Sequence, residues 1–411
     1  MSVELVTGNH AAGYALSVAG EANRRGRGTA CGIYPITPQT EIVELVAAFP
    51  FTRGRVVPVE SEHSAMAVSM GASLAGARAF TASSSNGLAY MVENIIVAGF
   101  YRLPIVMTAV NRTLGPPWNI WADQGDTLML RDFPWIQLYC ETNQEVLDST
   151  LLAFRLAEDR RIMLPVLVCL DAFIVSHTQA ETDLPEQEQV DRYLPTLHLP
   201  HRMRVDRPTT LGGLAWPEQT TSHRMEIEEA MARVPSVFQQ ARAEFRGMFG
   251  RDPGDALQRV GTDDAETVLI ASASIATTAR EVVRHRRERG EKVGLIKVKM
   301  FRPFPEEKIR AACRTATRVG VLDRNYAAGV GGVFWQDTRA AFHGHRDDLL
   351  LQDYLVGVGG GDVTPALLEQ VLDDLVEREG AGPPRWMGME KQPELAPAGI
   401  GPRSELEEVG S

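Results

Sequence analysis

Over the first 180 residues, short apolar runs alternate with amphipathic stretches. The runs at 30–34, 56–59, 79–83, 105–110 and 166–170 predict strands, and those at 64–76 and 145–158 predict helices. Strand–helix alternation at this spacing predicts a parallel sheet covered by helices on both faces. Ligands of such sheets lie beyond the carboxyl ends of the strands. The segments that directly follow strands are therefore where chemistry is sought. They are YPITP at 34–38, ESEH at 60–63, TASSS at 81–85, Asn111-Arg112 and DAF at 171–173.

Beyond residue 180 the pattern changes. Residues 181–262 are rich in Pro, Gln, His and charge, and read as a connector carrying a long helix over 224–246. Alternation resumes over 263–380, with strands expected at 267–271, 292–297 and 319–322 and helices at 276–290 and 306–317. This is a second, smaller α/β domain. Residues 381–411 contain PPRW and LAPAGIGPR and read as a mobile or partner-wrapping tail. Two domains suit a chain of 411 residues.

Charge and composition narrow the function. A net charge of −11 argues against a general nucleic-acid binder. Only five lysines occur, the first at Lys292, and none precedes Ser or Thr. A G-x-x-x-x-G-K-[ST] phosphate loop is thereby excluded, as is a Schiff-base lysine in the N-terminal two-thirds. Cys31, Cys140, Cys169 and Cys313 form no C-x-x-C, so an iron–sulfur or zinc site built by this chain alone is not expected. Cys31 and Cys169 read as buried thiols. There is no metal-hydrolase histidine pair and no G-x-S-x-G. The absence of a signal-peptide pattern or a long apolar span predicts a cytoplasmic protein.

Several polar positions carry more than one reading. Glu62 opens a small-residue helix, where it is either a cap favoured by the helix dipole or a functional carboxylate, with Glu60 as competitor. Thr37 lies between two prolines, as a rigidly held hydroxyl or as a helix N-cap. Arg112 opens a loop of Gly, Pro, Trp, Asn and Asp. It either grips a carboxylate or pairs with Asp123 or Asp126. Trp118 and Trp121 either line a roomier pocket or anchor that loop's core, and the second reading is preferred. The glycines of VGVGGGD at 356–362 read as a lead into a helix capped by Thr364, and GVGG at 329–332 as a weak signal for close backbone approach.

GNHAAGYAL, YPITPQTEIVE, VESEHSAM, TASSSNGLAYM, VNRTLGPPWNIWADQGD and LDAFIVSH occur in that order. Up to about residue 360 the chain resembles the alpha subunit of 2-oxoacid:ferredoxin oxidoreductases, closest to the separate-alpha pyruvate type. The resemblance implies a thiamine-diphosphate-binding domain of the pyrimidine type, followed by a transketolase C-terminal-like domain. It implies that Glu62 bonds the pyrimidine N1′ and activates the cofactor, and that Thr37 and Arg112 hold the substrate carboxylate. Pro35, Ile36 and Ser85 join Glu62 as cofactor-binding positions.

The implied reaction is coenzyme A-dependent oxidative decarboxylation of pyruvate with electrons passing to ferredoxin, or its reversal. The alternatives are 2-oxoglutarate, a branched-chain or an aromatic 2-oxoacid, or a non-catalytic assembly role. Oxalate fits less well, because Thr37 is neutral where a cation would be needed. The family's G-D-G…Asn motif for diphosphate and Mg²⁺ is absent, since Gly361-Asp362 is followed by Val363. Beta, gamma and delta subunits are therefore expected to supply Mg²⁺, [4Fe-4S] clusters and coenzyme A handling. The active site is expected between chains, and two such protomers are expected to pair.

Overall fold

A computed structural model describes residues 2–199, 201–346 and 348–388. The part of the expected tail at 389–411 lies outside the described residues.

The N-terminal domain holds β1 (Ser2–Thr7), β2 (Thr29–Ile33), β3 (Gly54–Pro58), β4 (Arg78–Ser83), β5 (Ile105–Asn111), β6 (Ile136–Cys140), β7 (Val166–Asp171) and β8 (Gln179–Leu184). The C-terminal part holds β9 (Leu257–Val260), β10 (Thr267–Ala271), β11 (Val293–Val298), β12 (Met300–Arg302), β13 (Arg318–Asp323), β14 (Leu350–Val356) and β15 (Arg385–Met387). The first sheet has seven strands in the order β12-β6-β7-β5-β4-β2-β3, and all its pairs but β12/β6 are parallel. The second has six, in the order β15-β14-β13-β10-β11-β9, antiparallel only at β9. β4, β5 and β7 are buried along their whole length, which is why they read as continuous apolar runs.

The domain limits drawn from the sequence need correction. The connector supplies two strands: β8 pairs antiparallel with β1, and β9 closes an edge of the second sheet. The start of the supposed tail is β15, parallel to β14. β12 leaves the second domain and pairs with β6 of the first sheet. The long helix runs over Pro217–Phe249 and buries Val234, Phe238, Ala241 and Phe245.

Two buried ion-pair systems fix the frame. Arg78 is fully buried, with Nε and Nη2 at 2.6 and 2.7 Å from the Glu158 carboxylate, and donates to Ala19 O and Pro195 O. Lys297 bridges the domains, bonding Glu145 at 2.6 and 2.7 Å and Glu141 at 2.9 Å. Burial drives the Glu145 carboxyl upward, but Lys299 and Lys297 outweigh it and hold the group below its usual range. Two of the five lysines are therefore structural. Ser274 closes the same interface by donating its backbone N–H and hydroxyl to Asp171. Among the described residues no helix is long and apolar enough to cross a membrane.

Candidate active site at the carboxyl edge of the first sheet

The helix Glu62–Leu74 follows β3 and begins at a cap made by Ser61, whose hydroxyl accepts the Ser64 N–H at 3.3 Å. Capping is thus done by Ser61, and Glu62 is not needed for it. Glu60 is engaged outside, accepting the Ser64 hydroxyl. Glu62 is 8% exposed, and no described residue donates a hydrogen bond to its carboxylate. Gly87 makes its seat: a methyl there would lie 2.7 Å from Glu62 Oε1 and 2.8 Å from its Cγ. The hydroxyl of Ser83, at the end of β4, would lie 2.5 Å from the same methyl; it is fully buried and has no partner among the described residues. A buried carboxylate and an orphan hydroxyl meeting at strand ends suit a ligand that brings its own polar atoms.

The loop after β2 is held from below. Gln39, fully buried, donates to Tyr34 O at 2.9 Å and to Ala82 O at 3.1 Å, tying β2 to the end of β4. Asn9 donates to Pro38 O at 2.7 Å. Pro35 and Thr37 are exposed on this loop and Ile36 is half-buried. Thr37 does not cap the following helix, Thr40–Ala48, whose N-cap is Gln39.

Arg112 follows β5. Its Nη1 donates to Thr37 O at 2.7 Å, so the structure joins these two residues through the threonine's backbone carbonyl. Its Nε donates to Asn119 O at 3.0 Å. Neither aspartate pairs with the guanidinium. Asp126 is fully buried and accepts the backbone N–H of Arg112 at 3.0 Å, that of Ser85 at 2.9 Å and the Asn111 amide at 2.8 Å. Burial pushes Asp126 up to about 7 against these donors. Asp123 accepts N–H groups from Gly125 and Gly359. The Nη2 edge of Arg112 meets no acceptor among the described residues, which leaves one side of the fork open to a carboxylate.

Ser85 stands differently from its expected role. It is fully buried at a φ of 50°, and its hydroxyl donates to Thr113 O. It holds the Arg112 loop in place and presents no free group of its own. Trp118 departs from the reading as a loop-core anchor, whereas Trp121 is half exposed but packed. Trp118 is 67% and Trp121 50% exposed, although Trp121 stacks on Phe173 with ring centroids 5.0 Å apart.

The sequence missed the second domain's part in this site. The glycines at 357–361 do precede a helix capped by Thr364, at Pro365–Glu377. They also form a turn that reaches the loop after Arg112. Asn119 Nδ2 donates to Gly359 O at 3.2 Å, and Gly359 N donates to Asp123 at 2.9 Å. The signal was the glycine run itself, but only tertiary placement shows what it approaches.

Two largely parallel α/β sheets with an open, partly orphaned polar edge make an α/β protein of the class that binds a ligand beyond its strand ends. The family model described as "Pyruvate flavodoxin/ferredoxin oxidoreductase, thiamine diP-bdg" matches residues 21–243, and "Pyruvate:ferredoxin oxidoreductase core domain II" matches 265–368. Pyruvate synthase subunit PorA of Methanothermobacter thermautotrophicus is 42% identical, over 88% of this chain and 94% of the relative. Ketoisovalerate oxidoreductase subunit VorA of Pyrococcus abyssi is 38% identical, over 90% and 93%. The solved 2-oxoglutarate:ferredoxin oxidoreductase of Magnetococcus marinus superposes with a TM-score of 0.69 at 20% identity, covering 91% of this chain and 65% of that one. A split-gene transketolase superposes at 0.51 with 13% identity, over 89% and 93%. The chain belongs to the 2-oxoacid:ferredoxin oxidoreductases, as an alpha-type subunit.

Proposed function

We propose that this chain supplies the pyrimidine side and the substrate carboxylate grip of a coenzyme A-dependent 2-oxoacid:ferredoxin oxidoreductase, with pyruvate as substrate. One observation carries the reading: the edge that presents the open Arg112 fork also holds Glu62 buried and without a partner among the described residues. Bound thiamine diphosphate supplies the electron sink for decarboxylation. Glu62 holds a proton at the pyrimidine N1′, a task that suits a secluded carboxylate. Arg112 Nη2 binds the 2-oxoacid carboxylate, and the exposed Thr37 hydroxyl adds a neutral bond. Pro35 and Ile36, on the same loop as Thr37, are the further cofactor-binding positions of this reading.

Pyruvate is favoured by the PorA relatives, at 42% and 40% identity. The VorA relative, at 38%, makes a branched-chain 2-oxoacid the second reading. The missing G-D-G…Asn motif supports placing diphosphate and Mg²⁺ on a beta subunit, with clusters, coenzyme A and ferredoxin contacts on further subunits of a cytoplasmic complex. The subunit names of the relatives support such an assembly.

The test is Glu62→Gln in the assembled complex, read as coenzyme A-dependent viologen reduction over a panel of 2-oxoacids. Turnover is expected to fall by roughly 100-fold or more, with assembly intact by size-exclusion chromatography. Near-wild-type turnover would overturn the assignment and leave the chain an assembly subunit.

A further inference from the structure

We infer that Asn119, gripped by the glycine turn of the second domain, orients Arg112 for the substrate. The second domain then tunes 2-oxoacid binding through a positioning residue. The inference rests on the reading of Arg112 as the carboxylate-binding residue.

The path is continuous. The turn Val358–Gly360 offers Gly359 O to the Asn119 amide at 3.2 Å. The Asn119 side-chain oxygen accepts the Trp121 N–H at 3.0 Å, which fixes the local turn. The Asn119 backbone carbonyl accepts Arg112 Nε at 3.0 Å, and the far side of the guanidinium is tied to Thr37 O at 2.7 Å. A planar fork held at Nε and Nη1 has its remaining edge fixed in direction. Two more bonds hold the loop to the second domain: Gly359 N to Asp123 at 2.9 Å, and Gln124 N to Arg324 O at 2.9 Å.

Close approach demands glycine. Gly359 and Gly360 have φ of 70° and 94°, and a Cβ on Gly360 would overlap Trp121 Cβ. A side chain there must displace the loop, and a shift of about 1 Å is enough to misalign the grip of Arg112 Nη2.

The experiment uses the assembled complex with Asn119→Ala, Gly360→Ala and Arg112→Ala. For Asn119→Ala the 2-oxoacid KM is expected to rise about five- to tenfold with kcat within about twofold, because the two side-chain bonds that hold the Asn119 carbonyl against Arg112 are lost. Gly360→Ala should raise KM further. Thiamine diphosphate affinity, measured by titration calorimetry on the complex, should stay unchanged, as should the melting temperature of Asn119→Ala. If Gly360→Ala does not assemble, Asn119→Ala alone decides. If KM is unchanged in Asn119→Ala but raised in Arg112→Ala, the inference fails. It also fails if kcat and cofactor affinity fall together, which marks a general structural loss. If Arg112→Ala itself leaves KM unchanged, the carboxylate assignment is what fails, and the link falls with it.

Discussion

The two parallel sheets treat the acids at their carboxyl edges in opposite ways. On the first, Glu62 lies beside Gly87, with the Ser83 hydroxyl near the same glycine, yet receives no hydrogen bond from the described residues, and Arg112 keeps an edge open. On the second, Asp323 at the end of β13 and Asp353 inside β14 are fully buried and bonded by the chain's own backbone. Asp323 accepts the N–H groups of Phe334 and Trp335 and the Asn325 amide, at 2.7–3.0 Å. Asp353 accepts the Gly332 N–H at 2.8 Å through Oδ2, while its Oδ1 has no partner among the described residues. The glycines at 331 and 332 make that coverage possible, since a side chain at either would collide with a carboxylate. Similar strand-end chemistry is thus closed off in one domain and left available in the other. Polar satisfaction, as at Asp323, more than the presence of an acid after a strand, separates structure from the candidate site.

The sharpest way to break this contrast is to fill the open edge. Gly87→Ala places a methyl 2.7 and 2.8 Å from Glu62 Oε1 and Cγ, so the carboxylate must move. Turnover in the complex is expected to fall by roughly 100-fold, the cost of losing a positioned acid–base group. The melting temperature should change by only a few degrees, because Ser83 can rotate and the helix Asn86–Tyr90 is short. Unchanged turnover would show that the placement of Glu62 against Gly87 is irrelevant to catalysis.

Much of this edge was legible because hydrophobic runs mark buried parallel strands. β4, β5, β7 and β10 stand close to where their apolar patterns end. Apart from the buried β6, which reads IQLYC, several strands that the pattern does not predict lack that mark. β8 reads QAETDL and is half-polar, β12 has three residues, and β14 carries Gln352 and Asp353 in its centre. Those last two residues are buried with bonds to loops elsewhere, although Asp353 Oδ1 keeps no partner among the described residues, and no local pattern reveals this. At the site, Glu62, Thr37 and Arg112 could be picked out as candidates. That Thr37 offers its carbonyl to Arg112, and that Asn119 and Gly359 steer the arginine, depends on contacts spanning 75 and 240 positions.

The closed edge has a weaker but measurable signature. Burial and the neighbouring carboxylate push Asp323 up to about 8, and burial pushes Asp353 to about 6, both from 3.8. A folded-state pKa above the unfolded value means that the folded chain binds the extra proton. The stability contribution is therefore full below about pH 4 and is lost as pH rises through about 6 to about 8. Asp353→Asn keeps an oxygen for the Gly332 N–H and removes one of the two charges. Its urea midpoint should fall less between about pH 5.5 and 8.5 than the wild-type value, by an amount worth about 1 kcal/mol. The slope that remains belongs partly to Asp126 on the first edge, raised to about 7 by burial. An unaltered pH slope would show that the pair does not repel.

Trp118 tests what lies between the edges, on the loop that carries Arg112. It is 67% exposed, whereas Trp121, on the same loop, meets Phe173 and the turn at Gly360. A side chain that buries so little contributes little to folding. Trp118→Ala should leave the stability of the isolated chain, read by urea unfolding, within about 0.5 kcal/mol, as is typical of surface changes. Trp121→Ala should lower it more. If the active site is shared between chains, an exposed tryptophan beside the arginine loop becomes contact area on assembly. Trp118→Ala should then weaken subunit association by about 1–2 kcal/mol, read by analytical ultracentrifugation. A large loss of chain stability without a loss of assembly would instead return Trp118 to the role of loop anchor, the role its exposure argues against.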